Sequence, residues 1–129
     1  MNQLVEAAIK SLPAFKRLSP VNARFFLAYY DLFAQRDGCN EKNEWFAEQE
    51  RKSIKTIEAQ FKKLREANVI KTTVTKYKDI YYTNKSGFIT SRRNELHPVF
   101  RAQLNEKINY IKEELARRRT PSGTYKKVS

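Results

Sequence analysis

The sequence predicts a mainly α-helical protein with a small β-hairpin and a long C-terminal helix. Apolar residues recur every three or four positions in several stretches, as amphipathic helices require. A short alternating stretch follows residue 70, and a stripe of near-heptad spacing follows Pro98. With 129 residues, the chain can form one core and at most an extension. We expect a main domain at 1–90, a C-terminal helix at 91–119 and a flexible basic tail at 120–129.

The first third of the chain predicts two helices. Residues 1–12 have apolar side chains on one side and stop at Pro13, which ends the stretch. Ser19 and Pro20 then mark a helix start, because Ser is a good N-cap and Pro suits the first helical position. The heavily apolar residues 21–33 predict the central core helix.

The next two predicted helices are a short one and then a longer one. Asn43 can cap a short helix whose Trp45 and Phe46 belong to the core. Ser53 can cap a longer amphipathic helix with a buried stripe, formed by Ile54, Ile57, Phe61 and Leu64. In this interpretation Ile54 is buried and Lys52 is exposed in the turn.

A strand pair is predicted to follow directly. Residues 71–76 alternate as a strand, 77–79 turn, and 80–83 return, with 84–87 closing the unit. Tyr77 would then lie at the tip of the hairpin, where no core surrounds it.

The positive charge is unevenly distributed. The formal net charge is +12, yet residues 1–50 carry a net charge of −1. Residues 51–78 carry +7, residues 79–91 are neutral and residues 92–129 carry +6. A strongly basic chain indicates a polyanionic partner. Here the excess begins at the Ser53 helix, although a basic helix face is also commonly just solvated.

The C-terminal helix is predicted from Pro98 to Thr120-Pro121. Its apolar stripe resembles a heptad seam and consists of Phe100, Leu104, Ile108, Ile111 and Leu115. Two outcomes are open: the helix packs back on its own domain, or it pairs with a second copy in a symmetric homodimer. We predict the homodimer, with this stripe exposed on the monomer and buried at the interface.

The stretch from Trp45-Phe46-Ala47 through Ser53…Thr56-Ile57…Phe61…Leu64 to Asn68-Val69-Ile70 resembles the winged helix-turn-helix superfamily of small bacterial, plasmid or phage regulators. The resemblance covers about residues 20–90 and is best in the Leu64–Ile70 exit, where the family has Leu-x-x-x-Gly-Leu-Ile. It departs at three positions in the turn. Glu50 replaces the usual Leu, Arg51 the usual Gly, and Lys52 the usual small apolar residue.

The resemblance implies binding of double-stranded DNA. Phosphate contacts are expected from Lys42, Arg51, Lys52, Ser53, Lys76 and Lys78. Base-edge contacts are expected from Lys55, Thr56, Ala59 and Gln60, beside the further basic residues Lys62 and Lys63. Tyr77 would either enter a minor groove or lie flat on its own ribbon.

The predicted function is transcriptional regulation by occupancy of an operator. One alternative is a plasmid or phage replication or partition protein that binds iterated origin sites. Another is a winged-helix adaptor that binds protein. No cofactor, small-molecule ligand or membrane partner is predicted, and localisation is expected in the bacterial cytoplasm or nucleoid.

Enzymatic activity is not predicted. The three glycines form no phosphate-binding loop, and the basic segment lacks paired carboxylates for metal-assisted hydrolysis. His97 is the single histidine and Cys39 the single cysteine, so a zinc site of His and Cys ligands is excluded.

Overall fold

The computed structural model describes residues 1–78 and 88–119, without the side chains of 76–78, 88–90 and 119. These residues form helices and one hairpin, which confirms the mainly α fold with a long C-terminal helix. In chain order the elements are α1 (Gln3–Ser11), α2 (Pro13–Lys16), α3 (Pro20–Ala28), α4 (Tyr30–Phe33), α5 (Asn43–Glu50), α6 (Ile54–Glu66), β1 (Ile70–Lys78), β2 (Phe88–Leu96) and α7 (Pro98–Arg119). No helix among the described residues is long and apolar enough to cross a membrane.

Local hydrogen bonds explain where two of the predicted helices begin. The Ser19 and Ser53 hydroxyls accept from the backbone amides of Asn22 and Thr56, at 3.4 and 3.1 Å, which confirms both predicted N-caps. The prediction for Asn43 was wrong. Lys42 occupies the N-cap position of α5 without a side-chain cap, while Asn43 is the first helical residue and is buried.

The predicted central helix is divided in two. Tyr29 has φ −116° and ψ 13°, outside the helical region, and therefore separates α3 from α4. The break lets both short helices supply aromatic rings to one core. Phe25 contacts Phe61 edge-to-face, with ring centroids 5.4 Å apart, and Phe33 stacks on Phe46 at 6.3 Å.

The hairpin is longer than predicted. β1 and β2 are antiparallel, with Ile70 opposite Leu96 at the base and Lys78 opposite Phe88 at the far end. The turn predicted at 77–79 is therefore wrong at Tyr77 and Lys78, which are strand residues. Residues 79–87, including the predicted return strand at 80–83, lie outside the described part of the chain. The strand β2 was not predicted and crosses the expected domain boundary at residue 90.

A one-residue bridge attaches the hairpin to the helical core. Cys39 and Asn94 exchange backbone hydrogen bonds of 2.7 and 2.9 Å, so the α4–α5 linker pairs with β2. Gly38 makes this approach possible, because a Cβ at that position would lie 2.8 Å from the carbonyl oxygen of Asn94. Its φ of 71° also favours glycine.

The C-terminal helix packs on its own domain along its first half. Phe100 and Leu104 are fully buried, and Phe100 meets Phe26 edge-to-face at 5.7 Å. The prediction that the whole stripe is exposed on the monomer was therefore wrong for these two residues. Ile108 and Ile111 are half-buried against the core, with α1 packed on α7, whereas Leu115 is 45% exposed.

Candidate nucleic-acid interface

The helix α6 has one buried face and one outward face. Ile57, Phe61 and Leu64 are buried, and Ile57 and Leu64 have no exposed surface. On the opposite side, Lys55, Ala59 and Lys62 are exposed at steps of four and three. The outward face therefore presents a small side chain with one lysine on each side of it.

The cations of the outward face are available to a partner. Lys55 and Lys62 form no ion pair with any residue that the structure describes. Lys63 lies beside this face and pairs with Glu66 at 3.5 Å, with both side chains more than half exposed. Such an exposed pair contributes little energy, so a polyanion can displace it. Thr56 is exposed, and its hydroxyl lies 2.9 Å from that of Ser53.

The turn before α6 is tight and carries consecutive polar residues. Arg51 ends α5 in the left-handed conformation, with φ 54° and ψ 47°. The Lys52 amide donates to the carbonyl of Ala47 at 3.0 Å, which closes the helix end. Arg51 thus occupies a conformation that favours glycine. Its side chain is exposed, whereas Lys52 is only partly exposed.

Glu50 has a structural partner. Tyr29 donates its hydroxyl to a Glu50 carboxylate oxygen at 2.5 Å, which links the end of α3 to the end of α5. Burial, together with this hydrogen bond and the negative charge of Glu50, raises the pKa of Tyr29 to about 12. The carboxylate therefore holds the turn through a polar contact.

Two predicted roles on α6 are corrected. Gln60 is 5% exposed and cannot reach a base edge, because it lies three residues after Ile57 and four before Leu64, on the buried side. Neither polar atom of its amide has a hydrogen-bond partner. Ile54 is 44% exposed, so it does not plug the turn as predicted. It belongs to the first turn, which extends past the core.

The exit from α6 leads directly to the hairpin. Asn68 has φ 62°, and the Val69 and Asn68 amides donate to the carbonyls of Leu64 and Arg65. This paired pattern is a Schellman motif, which reverses the chain so that β1 begins at Ile70. After glycine, asparagine is among the residues that tolerate this conformation best.

Two arginines on the hairpin side of α6 were missed. Arg65 donates to the Thr72 hydroxyl at 3.3 Å, and that hydroxyl donates to Asn94 Oδ1 at 2.6 Å. Arg92 lies opposite Val74 in the sheet. Apolar alternation does not reveal Arg92, because most of β2 is polar. Only the basic charge of residues 92–93 gave a signal.

Four of the predicted residues lie outside α6 and the turn before it. Lys42 is exposed next to the first residue of α5, the helix that packs against α6. Lys76, Tyr77 and Lys78 are the last residues of β1, and their side chains are not described. In the described ranges, no group of three His, Cys, Asp or Glu residues is arranged to hold a metal ion. The N-terminal end of α6 brings together five of the predicted residues, namely Arg51, Lys52, Ser53, Lys55 and Thr56.

The chain matches no protein-family model, no curated protein and no solved structure. An exposed cationic helix face beside a hairpin is suited to a surface of regularly spaced negative charges.

Proposed function

We propose that the protein is a sequence-specific double-stranded DNA-binding protein of the winged helix-turn-helix type, acting as a transcriptional regulator by occupying its operator. One observation carries the proposal. The helix α6 projects Lys55, Ala59 and Lys62 outward from a firmly buried opposite face.

The shape of α6 is compatible with a DNA groove. The major groove of B-DNA is about 12 Å wide and admits one α-helix. Near the N-terminus of α6, Lys55 offers an ammonium to guanine acceptors and Thr56 offers a hydroxyl and a methyl group. Ala59 is small enough for close approach and can contact a thymine methyl group. These three residues are proposed to read bases.

Phosphate contacts are proposed at the start of α6. The N-terminus of a helix attracts anions through its unpaired amides and its dipole. Arg51, Lys52 and the Ser53 cap surround this end, which lies next to the proposed base-reading residues. Lys42 on α5, together with Lys76 and Lys78 on the hairpin, would extend the backbone contacts to either side.

We also propose a homodimer, with an interface smaller than the whole apolar stripe of α7. The burial of Phe100 and Leu104 leaves the outer half of α7, where Ile108 and Ile111 are half-buried and Leu115 is exposed. A second copy would cover these residues and place two α6 helices on successive half-sites about 34 Å apart.

The experiment combines selection and a matched pair of variants. The purified protein first selects its site from a random duplex library, and fluorescence anisotropy then measures binding to that site and to scrambled DNA. Lys55→Ala should weaken specific binding by about 1–3 kcal/mol, with a smaller loss on scrambled DNA. Lys112→Ala removes the same charge from an exposed position on α7 and serves as the control.

Three outcomes would contradict the proposal. Equal losses for the two variants would reduce Lys55 to non-specific charge. Affinity that does not fall with added salt would exclude phosphate neutralisation and favour a protein-binding adaptor. Failure to enrich any sequence would exclude site-specific recognition.

A further inference from the structure

A cleft lies between α6 and the base of the hairpin. Its volume is about 350 Å³, and α5, α6, β1 and β2 all contribute to its walls. This size falls in the range of small-ligand pockets. The cleft is on the side of α6 that carries Glu58 and Arg65, next to the outward face described above.

The walls combine apolar surface with charges of both signs. Phe61 forms a buried apolar wall, and Val74 adds an apolar side chain that is 49% exposed. Arg65 and Arg92 supply two guanidinium groups, while Glu58 supplies one carboxylate. A ligand that matches these walls carries an anionic group, a donor or cationic group and a small apolar part.

Two polar atoms in the walls have no hydrogen-bond partner. Asn43 is 6% exposed, and its Oδ1 accepts from no group. The Arg92 Nε is also buried and donates to no group. Buried polar atoms in folded proteins are nearly always paired, so unpaired ones on a cleft wall are available to a ligand that enters the cleft. One of these atoms requires a donor and the other an acceptor.

The guanidinium of Arg65 is held in position by two further side chains. Thr72 accepts a hydrogen bond from Arg65 and is itself held by Asn94, which has no exposed surface. A guanidinium that is already oriented loses less freedom when it binds a carboxylate.

We propose that this cleft binds a small organic acid that also carries a hydrogen-bond donor, a class whose simplest members are the α-amino acids. The carboxylate pairs with Arg65 and Arg92, which match its planar geometry. The amine donates to Asn43 Oδ1 and pairs with Glu58. The ligand side chain packs on Phe61 and Val74.

Glu58 distinguishes this ligand from a phosphate group. A phosphate carries more negative charge than a carboxylate and, when ionised, offers few donors, so Glu58 repels it and Asn43 Oδ1 stays unpaired. A bound amino acid would connect Arg65 on α6 to Arg92 on β2 and so restrain the hairpin relative to the helix. Any change in DNA affinity that this restraint causes rests on the proposed function, whereas ligand binding itself does not.

The test is a titration of the DNA-free protein with each proteinogenic L-amino acid at millimolar concentration, followed by amide NMR. At least one amino acid should cause saturable shifts at Thr72, Val74 and Arg65. Arg92→Gln should weaken that binding about tenfold or more, as expected for loss of a charge-assisted pair. Arg93→Gln is the matched control, since Arg93 is the next residue in β2, faces the other way and pairs with Glu95 at 3.3 Å.

Several results would overturn the inference. These are the absence of saturable shifts with every amino acid, equal weakening by Arg92→Gln and Arg93→Gln, or equally tight binding of inorganic phosphate at the same amides. If Arg92→Gln unfolds, Arg65→Gln supplies the same comparison. If an amino acid binds in the cleft but the protein does not bind DNA, only the proposed function is refuted.

Discussion

The helices α6 and α7 carry similar apolar stripes. The core covers the C-terminal part of the stripe in α6 but the N-terminal part of the stripe in α7. In α6 the buried residues begin at Ile57, after an exposed Ile54, and continue to Leu64. In α7 the buried residues are the first ones, Phe100 and Leu104, and exposure increases toward Leu115. The N-terminal end of α6 and the C-terminal end of α7 therefore extend beyond the core.

The comparison shows what a stripe does and does not specify. Periodicity identifies which face of a helix is apolar, because the face follows from spacing along one element. It does not identify how much of that face the rest of the chain covers, since coverage depends on elements distant in sequence. The two uncovered ends are the places where partners are proposed to bind.

The largest expected effect concerns the covered parts of both stripes. Phe61→Ala and Phe100→Ala should each lower the free energy of unfolding by about 3–5 kcal/mol, because each removes a fully packed ring. Ile54→Ala and Leu115→Ala, at the exposed ends, should each cost less than about 1 kcal/mol. Urea denaturation measures all four. A large loss at either end would mean that the stripes are covered along their full length.

An intermediate effect is expected on assembly. Leu115→Glu places a charge on the exposed end of α7 and should weaken a homodimer about tenfold or more, with little change in unfolding. Sedimentation equilibrium compares this variant with Glu113→Gln, a change at an exposed position two residues earlier. A wild-type protein that stays monomeric at tens of micromolar would contradict the dimer, and α7 would then serve only its own domain.

The smallest expected effect concerns the turn that precedes α6. Arg51→Gly should stabilise the protein by about 1 kcal/mol, since glycine adopts the left-handed conformation without steric cost. The same variant should weaken DNA binding by removing a phosphate contact. Asn68→Gly is the control, because asparagine already tolerates this conformation and the gain should be smaller. Stabilisation together with unchanged DNA binding would remove Arg51 from the interface.

Features determined by neighbouring residues were predictable from the sequence. Ser19 and Ser53 cap their helices through bonds that span three residues, so their roles could be inferred locally. The bounds of α7 followed equally well from Pro98 and the Thr120-Pro121 pair. The basic face at Lys55 and Lys62 also follows from spacing alone.

Features determined by distant contacts were not predictable. The strand β2 has polar residues at most positions, so no apolar alternation marks it. Tyr29 interrupts a continuous apolar run because its ring and hydroxyl have partners on α5. Each case depends on a residue far away in the chain.

The packing of α7 against α1 and α3 has a consequence for biosynthesis. Ile9 and Phe26 are among the earliest core residues to be made, whereas Phe100, which contacts Phe26, is made much later. Contacts of such long sequence separation close slowly and only after both partners have emerged. A ribosome adds roughly 5–20 residues per second, so the nascent helices wait for seconds with their aromatic rings uncovered. The protein is therefore expected to engage hydrophobic-binding chaperones during synthesis and to complete its fold only once α7 has left the ribosome.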